Sequence, residues 1–373
     1  MKITNLILSN DGHTGTRILL MLGLAWLPLV VLTLIDGTLI SSDITMPFVK
    51  DVVPYVRGLI VIPMFVMADN VIEPMMNRIE AYLRSSGVVP DTEKPRLDQT
   101  MDSIARLMNA RWIQVILAVL AIFVSWMLQA DYVEMWNEKG VTSWALELEG
   151  DGVDETLAGT WFLLVTSPMV SFLLYRWIWR FISWSIFLYR LSRMKLELYA
   201  SHSDLAGGLG MIGAGQSLFG IVFLIMASLV SSELASNVLY EGDKLVDAKL
   251  VVLVYIVVSV VVISIPLLFF TKKLFNLKRS ALAEYGSLQH QISRDFHHHW
   301  INDESKKMVD SMQPSAMADY SAVYEIVSNM RIVPITTKAI VAVAALILLP
   351  FLPLALTETS FWDILQMIGD SLF

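Results

Sequence analysis

The sequence predicts an all-α integral membrane protein with about seven transmembrane helices, and two observations predict this class. Hydrophobic residues make up 55% of the 373 residues and charged residues 17%, which is too apolar for a soluble domain of this length. Several apolar runs also reach the roughly 20 residues that a helix needs to cross a hydrocarbon core about 30 Å thick. They lack the short-period alternation of a membrane β-barrel strand, so each run is predicted to be helical.

Seven runs have the necessary length and composition. The first follows a polar N-terminal stretch and has no short apolar region with a small-residue cleavage site, so it is predicted to remain as a span. Residues 1–373 are predicted to form a single polytopic membrane domain. The seven predicted spans are residues 18–36, 52–70, 112–130, 160–182, 210–232, 250–271 and 339–357.

The distribution of lysine and arginine predicts which loops face the cytoplasm, because positive residues flanking short loops resist translocation. Of the 27 basic residues, 20 fall in alternate segments of the chain, namely 1–17, 71–111, 190–209 and 272–338. Only 4 fall in the segments between them, namely 36–51, 130–159, 233–249 and 357–373. This asymmetry predicts an N-terminus inside and a C-terminus outside.

The external loops carry much of the acidic excess behind the net charge of -8. The acidic outer loop, residues 130–159, has 8 acidic residues and one basic residue, Lys139, and it would attract cations electrostatically. No basic run with interleaved aromatic residues stands apart from the membrane flanks, so no nucleic-acid partner is predicted.

No metal site and no cofactor is predicted. The chain has no cysteine, which excludes disulfides and thiolate ligands, and the DGVDE stretch in the outer loop lacks the spacing of a calcium loop. His297, His298 and His299 are consecutive, so on a helix their side chains point about 100° apart and cannot converge on one ion.

Two cytoplasmic segments have the apolar periodicity of amphipathic helices. Segment 71–111 is predicted to fold as a helical hairpin beneath the membrane. Segment 272–338 begins with an apolar stripe that needs a partner, namely Ala281, Tyr285, Leu288, Ile292 and Phe296. The sequence leaves the partner open between the hairpin, a second copy of the chain in a homo-oligomer, a cytoplasmic protein and the lipid surface.

The stretch SHSDLAGGLGMIGAG, residues 201–215, has two interpretations. In the structural one, Ser203 or Asp204 caps the fifth span, and small residues form a seam that another helix can approach closely. In the functional one, glycines let a phosphate, a lipid headgroup or an anion reach backbone N–H groups, while His202 responds to pH. The small residues concerned are Gly207, Gly208, Gly210, Gly213, Ser217 and Gly220.

Charged residues inside the second span are candidates for a polar path, because each is costly in hydrocarbon unless it is paired or reaches water. Arg57 is expected about 9 Å below the outer end of its helix. It is predicted either to snorkel to the surface or to pair with a residue such as Asp36. Asp69 and Glu73 share one helix face at the cytoplasmic end, where contacts with Arg78 or other basic neighbours are the alternative to a path.

The fourth span contains two arginines one turn apart, Arg176 and Arg180, flanked by tryptophans. Their position is typical of an aromatic and arginine belt at the inner headgroups. The alternative is a headgroup or anion site shared with Asp204 and the start of the fifth span. The two interpretations differ in whether the arginines face lipid or protein.

Several motifs occur in order along the chain: RWIWRFISWSIFLYRLSRMKLEL, HSDLAGGLGMIG, ALAEYGSLQ, and VSNMRIVPI followed by LPFLPLAL. With these motifs the chain, from about residue 50 onward, resembles a family of uncharacterised bacterial multi-pass inner-membrane proteins. The resemblance implies the inner (cytoplasmic) membrane of a bacterium and brings no established activity. In that family a proline follows the histidine and an arginine follows the aspartate, whereas Ser203 and Leu205 stand here, which argues against a role that needs that arginine.

Three classes of function remain open. The favoured one is a channel or transporter for a small ion or solute, because the spans carry charge, prolines and a glycine-rich helix. The second is a non-catalytic scaffold or sensor that docks partners through its cytoplasmic helices. The third is a membrane-embedded lipid-modifying enzyme, for which the only candidate cluster is His202, Asp204, Arg190 and Arg193. That cluster has no known catalytic spacing, so no catalytic residue is assigned.

Overall fold

The computed structural model describes residues 14–139, 142–149, 152–241, 245–298 and 312–355. Seven helices in these ranges are long and apolar enough to cross a membrane, which confirms the predicted fold class. We number them as spans one to seven. Their bounds are Thr14–Ile35, Val52–Ser85, Arg111–Leu128, Leu157–Ser192, Gly210–Tyr240, Ala248–Phe296 and Thr337–Leu354.

Six of these seven spans are interrupted, in most cases beside a proline, whose missing N–H breaks the backbone ladder. In the first half of the chain the α-helices are α1 (Thr14–Ala25), α2 (Leu27–Ile35), α3 (Val52–Tyr55), α4 (Ile62–Ser85), α5 (Lys94–Met108), α6 (Arg111–Lys139), α7 (Leu157–Trp161) and α8 (Ser167–Ser192). π-Helical segments Val56–Val61 and Phe162–Thr166 join α3 to α4 and α7 to α8.

The second half of the chain repeats this pattern of broken helices. Its α-helices are α9 (Gly210–Leu218), α10 (Gly220–Ser236), α11 (Leu245–Ser264), α12 (Thr271–Phe296), α13 (Met312–Ser328), α14 (Thr337–Leu348) and α15 (Leu352–Ala355). A π-helical segment, Asn237–Glu241, follows α10. Short 3-10 segments, Ile265–Phe270 and Leu349–Phe351, join α11 to α12 and α14 to α15.

The connecting loops alternate between two sides of the molecule. On one side, which we call the acidic face, the Met46 N–H donates to the Thr142 carbonyl at 3.0 Å and the Tyr240 hydroxyl donates to the Lys50 carbonyl at 2.9 Å. On the other, the basic face, the Glu197 N–H donates to the Val88 carbonyl at 2.9 Å. This alternation agrees with the predicted order of crossings; which face is cytoplasmic stays a prediction.

The acidic face includes a small hairpin that the sequence analysis did not predict. Strand β1 (Leu146–Glu149) pairs antiparallel with β2 (Gly152–Glu155) inside the segment treated as the acidic outer loop. Trp144, just before the hairpin, is 2% exposed and packs edge-on against Phe48, with ring centroids 5.1 Å apart. The hairpin is thereby anchored to the loop before span two.

Near the end of α4 on the basic face, Arg84 forms an ion pair with Asp98 of α5 at 2.5 Å, and α5 packs on α8. Part of the apolar stripe of α12 packs on α13, which was not among the partners left open by the sequence, whereas Leu288 of the stripe is 44% exposed. Tyr285 and Tyr320 stack with their ring centroids 6.2 Å apart, and the Gln289 amide donates to Ser321 Oγ at 3.3 Å. The α12–α13 pair therefore forms a helical hairpin on the basic face; the hairpin over residues 71–111 stays a prediction.

Candidate functional site

The first charged site inside the spans lies near the acidic face, where spans two, four and five meet. Arg57 Nη2 donates to Glu233 Oε1 at 2.6 Å, and Nη1 donates to Ser167 Oγ at 3.2 Å. The guanidinium also lies over Phe162, 5.2 Å from the ring centroid. Because the Arg57 side chain is only 16% exposed, protein groups and not surface water hold its charge.

This pairing corrects the expectation for Arg57. The arginine does not snorkel, and its partner is Glu233 and not Asp36. The two residues are 176 positions apart, so no helical spacing could connect them. The only signal in the sequence was that Glu233 is an acidic residue in an otherwise apolar run, which the span bounds of 210–232 left just outside.

Asp51 adds a buried carboxylate beside this pair. Its Oδ1 accepts from the Val53 N–H and its Oδ2 accepts from Trp144 Nε1, both at 2.9 Å. The side chain lies just before span two and is 5% exposed. Burial raises the pKa of Asp51 to about 6, although both hydrogen bonds oppose the shift. Asp51 was not among the residues singled out from the sequence.

Each of the three spans that meet at Arg57 has a π-helical segment there. Arg57 lies within Val56–Val61, Phe162 begins Phe162–Thr166, and Glu233 stands one turn before Asn237–Glu241. A π-helical turn contains an extra residue and appears mostly as a bulge at functional sites. The coincidence of three such segments around one ion pair sets this site apart from an ordinary helix contact.

The second charged site lies toward the basic face. Arg180 Nη1 donates to Asp69 Oδ1, and the guanidinium stacks over Trp177 at 4.5 Å from the ring centroid. Arg180 is 6% exposed. This arginine therefore faces protein and not lipid, which excludes a lipid-facing arginine belt at Arg180. Arg176 is half-buried and within electrostatic range of Arg180, Asp69 and Arg17.

Glu73, the other acidic residue predicted on this face, is buried one turn beyond Asp69. Its Oε2 has no hydrogen-bond partner within the described ranges. Arg78, the neighbour considered from the sequence, is not the partner of Asp69, because Arg180 takes that place. The basic-face site thus gathers three arginines, Arg17, Arg176 and Arg180, around two carboxylates.

An apolar layer separates the two charged sites. Arg57 and Asp69 are about 18 Å apart along span two at a rise of ~1.5 Å per residue. Between them the buried side chains of α4 are apolar, and Leu173 of α8 and Ile225 of α10 face the same core. The α4 residues concerned are Ile62, Phe65, Val66 and Ala68. No continuous polar path joins the sites among the residues that the structure describes.

The glycine-rich stretch has the capping geometry of the structural interpretation. The Asp204 carboxylate accepts from the backbone N–H groups of Ala206, Gly208 and Gly210 at 2.8, 3.2 and 2.7 Å. The carboxylate therefore fills the nest of N–H groups that an external anion would use. Burial would raise the pKa of Asp204, but these three bonds and the nearby His202 outweigh it and lower the pKa.

His202 Nδ1 lies 2.9 Å from Asp204 Oδ1, and the histidine is 41% exposed. On span two the loop faces Tyr82, whose hydroxyl donates to the Gly208 carbonyl at 2.8 Å. Tyr82 stands thirteen residues beyond Asp69, about 20 Å along the helix. Asp204 and Arg180 are thus not brought into one anion site.

The small-residue seam makes a close contact with the segment before span seven. A Cβ on Gly213 would lie 1.5 Å from the Pro334 carbonyl oxygen, and one on Gly220 would lie 3.2 Å from Val343. Gly207 and Gly208 have positive φ angles of 67° and 96°, which favour glycine. Ser217 Oγ donates to the Gly213 carbonyl of its own helix at 2.9 Å.

The four residues considered for catalysis do not converge. Arg190 donates to Ser103 Oγ at 2.5 Å, and Arg193 lies over the Tyr189 ring at 5.7 Å from its centroid, whereas the Asp204 carboxylate is occupied by backbone N–H groups. Within the described ranges no group of three or more His, Asp or Glu side chains could hold a metal ion; His299 lies outside those ranges.

No family model, curated protein or solved structure matches the chain.

Proposed function

We propose that this multi-pass membrane protein transports a small ion or solute, and that the Arg57–Glu233 site is part of its path. The observation that carries the proposal is the ion pair between spans two and five, flanked by a π-helical segment on every helix that contributes to it. Charged residues in a membrane span are costly and mark ion or substrate pathways.

The arrangement along span two supports the proposal further. The span carries one charged site near each face, with a closely packed apolar layer between them. A solute that reached one site would meet a closed barrier, so passage requires the helices to move. Six of the seven spans are broken within the described ranges, and broken helices near the bilayer centre are a recurring feature of transporters that alternate between two open states.

Asp51 gives this path a titratable group at its acidic end. Its carboxylate is buried and within electrostatic range of both Arg57 and Glu233. With a pKa of about 6, it exchanges a proton in the range where external pH commonly varies. Proton coupling therefore suits this site better than a passive pore.

Charge movement in reconstituted vesicles tests the proposal. Purified protein in proteoliposomes on a solid-supported membrane should give transient currents on a concentration jump of H⁺, Na⁺, K⁺, Mg²⁺ or Cl⁻. Glu233→Gln should reduce the current at least about tenfold, because the unpaired Arg57 then blocks the path. Arg96→Gln, which removes an exposed arginine paired to Glu93 on the basic face, is the matched control and should leave it unchanged.

Two results would overturn transport of a small ion. One is a current indistinguishable from that of protein-free vesicles for all five ions. The other is a current that Glu233→Gln leaves intact while Arg96→Gln also has no effect, since the path would then lie elsewhere. Melting curves of each variant show whether a lost current reflects unfolding.

A scaffold is the second candidate, and the α12–α13 hairpin favours it. Helix α12 continues span six beyond the basic face, and Phe275 and Leu288 on it are 51% and 44% exposed. A cytoplasmic protein or a second copy of the chain would cover these side chains. Vesicles without current, combined with capture of a defined protein by this hairpin, would favour the scaffold.

A further inference from the structure

We propose that Glu73 is a proton-binding group of the basic face, which holds a proton at neutral pH in the conformation described and exchanges it with water on that side. Glu73 lies in α4, one turn beyond Asp69, and it is 6% exposed. The proposal concerns proton binding alone and does not depend on transport.

The Glu73 carboxyl group lacks the contacts that would stabilise a negative charge. Its Oε2 is buried and has no hydrogen-bond partner within the described ranges. The guanidinium within electrostatic range, Arg180, donates its hydrogen bond to Asp69 instead. A buried carboxylate without a partner is costly, and such a group becomes neutral by taking up a proton.

The neighbouring Asp69 also favours a neutral Glu73. Asp69 is within electrostatic range of Glu73 and already forms an ion pair with Arg180. One guanidinium balances the charge of one carboxylate, and two carboxyl groups that share a site do not both ionise readily. Asp69 therefore carries the negative charge, and Glu73 carries the proton.

Two more arginines lie near the Asp69–Arg180 pair, but neither is a counter-ion of Glu73. Arg176 of α8 is within electrostatic range of that pair and of Arg17, the one charged residue of α1. Both arginines are half-buried. Neither makes an ion pair with Glu73 among the residues that the structure describes, so the carboxyl group stays without a counter-charge of its own.

The other helices near Glu73 supply no counter-ion either. Helix α9 contains no charged residue, and Glu233, the one charged residue of α10, pairs with Arg57 near the opposite face. On α5, at the end of α8 and further along α4, the charged side chains are paired or exposed. They are Arg78, Glu80, Arg84, Lys94, Arg96, Asp98, Asp102, Arg106 and Arg190.

Polar groups lead from Glu73 to the surface of α4. Asn70 and Asn77 stand three residues before and four residues after it, and such positions are neighbours on a helix. Asn70 is exposed and Asn77 is half-buried. Pro74, inside the helix, removes the N–H that would bond to the Asn70 carbonyl, which leaves that carbonyl available to water. Glu73 can therefore take a proton from water and return it to water, with no other reactant.

Infrared spectroscopy tests the proposal, because the C=O stretch of a protonated carboxyl group is resolved from that of a carboxylate. The full chain is measured in a detergent without ester groups, in the Asp51→Asn background, which removes the buried Asp51 carboxyl group. At pH 7 we expect a protonated-carboxyl band that shifts in D₂O and is absent from Glu73→Gln. Glu80→Gln, on the same helix and paired with Arg84 at 3.2 Å, is the matched control and should leave the band unchanged.

Two further measurements keep Glu73 itself in place. The band should be lost when the pH is raised and return when it is lowered, as exchange with water requires. Asp69→Asn should abolish the band at pH 7, because Glu73 is then the carboxylate that pairs with Arg180. Glu73→Gln should melt as its parent does, since one neutral group replaces another.

Three results would overturn the proposal. One is a pH 7 spectrum that Glu73→Gln leaves unchanged, since Glu73 would then be ionised. Another is a band that stays constant as pH is raised, since the proton would then never exchange. The third is a band that survives in Asp69→Asn, since Asp69 would then not decide which group holds the proton. None of these results depends on a vesicle current, so the proton site and the transport proposal can fail separately.

Discussion

Arg57 and Glu233 lie 176 residues apart in the chain, and their side chains meet at 2.6 Å between spans two and five. The contact joins helices from the two halves of the sequence, and Ser167 of span four completes it. Since both side chains are partly shielded, with 16% and 28% exposed, their attraction is stronger than that of a surface pair.

Removing both partners of this pair should destabilise the protein by less than the sum of the two single removals. Arg57→Gln and Glu233→Gln should each cost about 2–3 kcal/mol, because each leaves a shielded charge alone. The double variant should cost less than the sum, with a coupling energy of about 1–2 kcal/mol. Thermal unfolding in detergent measures the four states of the cycle, and strict additivity would show that the two charges do not interact.

Stability should depend on pH through Asp51. The pKa of about 6 lies above the ordinary value of 3.8, so the folded protein holds this proton more tightly than the unfolded chain does. The stabilising contribution is complete below pH 4 and is lost as pH rises to about 6, by on the order of 3 kcal/mol. We would compare the melting temperatures of Asp51→Asn and the wild type from pH 4 to pH 7, which isolates the contribution of Asp51 to stability. A constant difference between the two would refute it.

The Asp204 carboxylate should stabilise the loop before span five at neutral pH, whereas the Asp51 contribution is present at acidic pH. Because its pKa is lowered, the contribution is present above pH 4 and is lost as pH falls through the folded-state value. Asp204→Ala should cost about 2–3 kcal/mol at neutral pH by leaving three N–H groups unpaired. Asp91→Ala, on an exposed carboxylate of the same face, should leave the melting temperature unchanged. Similar melting by both variants would contradict the role of Asp204.

Gly213→Ala should damage the contact between spans five and seven. Its Cβ would lie 1.5 Å from the Pro334 carbonyl oxygen, and a backbone atom cannot rotate away as a side chain can. Overpacking of this kind costs about 1–3 kcal/mol and outweighs the ~1 kcal/mol that alanine gains over glycine within a helix. Gly23→Ala in α1, where nothing lies within 4 Å, is the control and should be neutral or stabilising. Equal melting of the two variants would exclude the close approach.

Single cysteines test which face is cytoplasmic, and the chain offers no background because it has none of its own. Ser42 on the acidic face and Ser85 on the basic face are both exposed. In intact cells a membrane-impermeant maleimide should label Ser42→Cys, and it should label Ser85→Cys only after permeabilisation, since basic residues stay inside. The reverse pattern, or labelling of both without permeabilisation, would refute the predicted orientation.

The crossing helices and several of the charged site residues could be predicted from the sequence alone. Hydropathy located all seven spans, because a helix in lipid must be apolar along a fixed length. The cost of charge in hydrocarbon singled out Arg57, Asp69 and Arg180. The residue types of Ser203 and Asp204, just before the fifth span, indicated a helix cap. All of these are local properties of one segment.

Partners were decided only by the tertiary structure. Each charged residue pairs with a residue from a distant segment: Arg57 with Glu233, Arg180 with Asp69 and Asp51 with Trp144. The apolar periodicity of one helix does not indicate which other helix will pack against it. Each span must be apolar to lie in lipid, so each helix can be located from its own sequence. Which side chains pair and which helices pack together depends on how the seven helices are assembled.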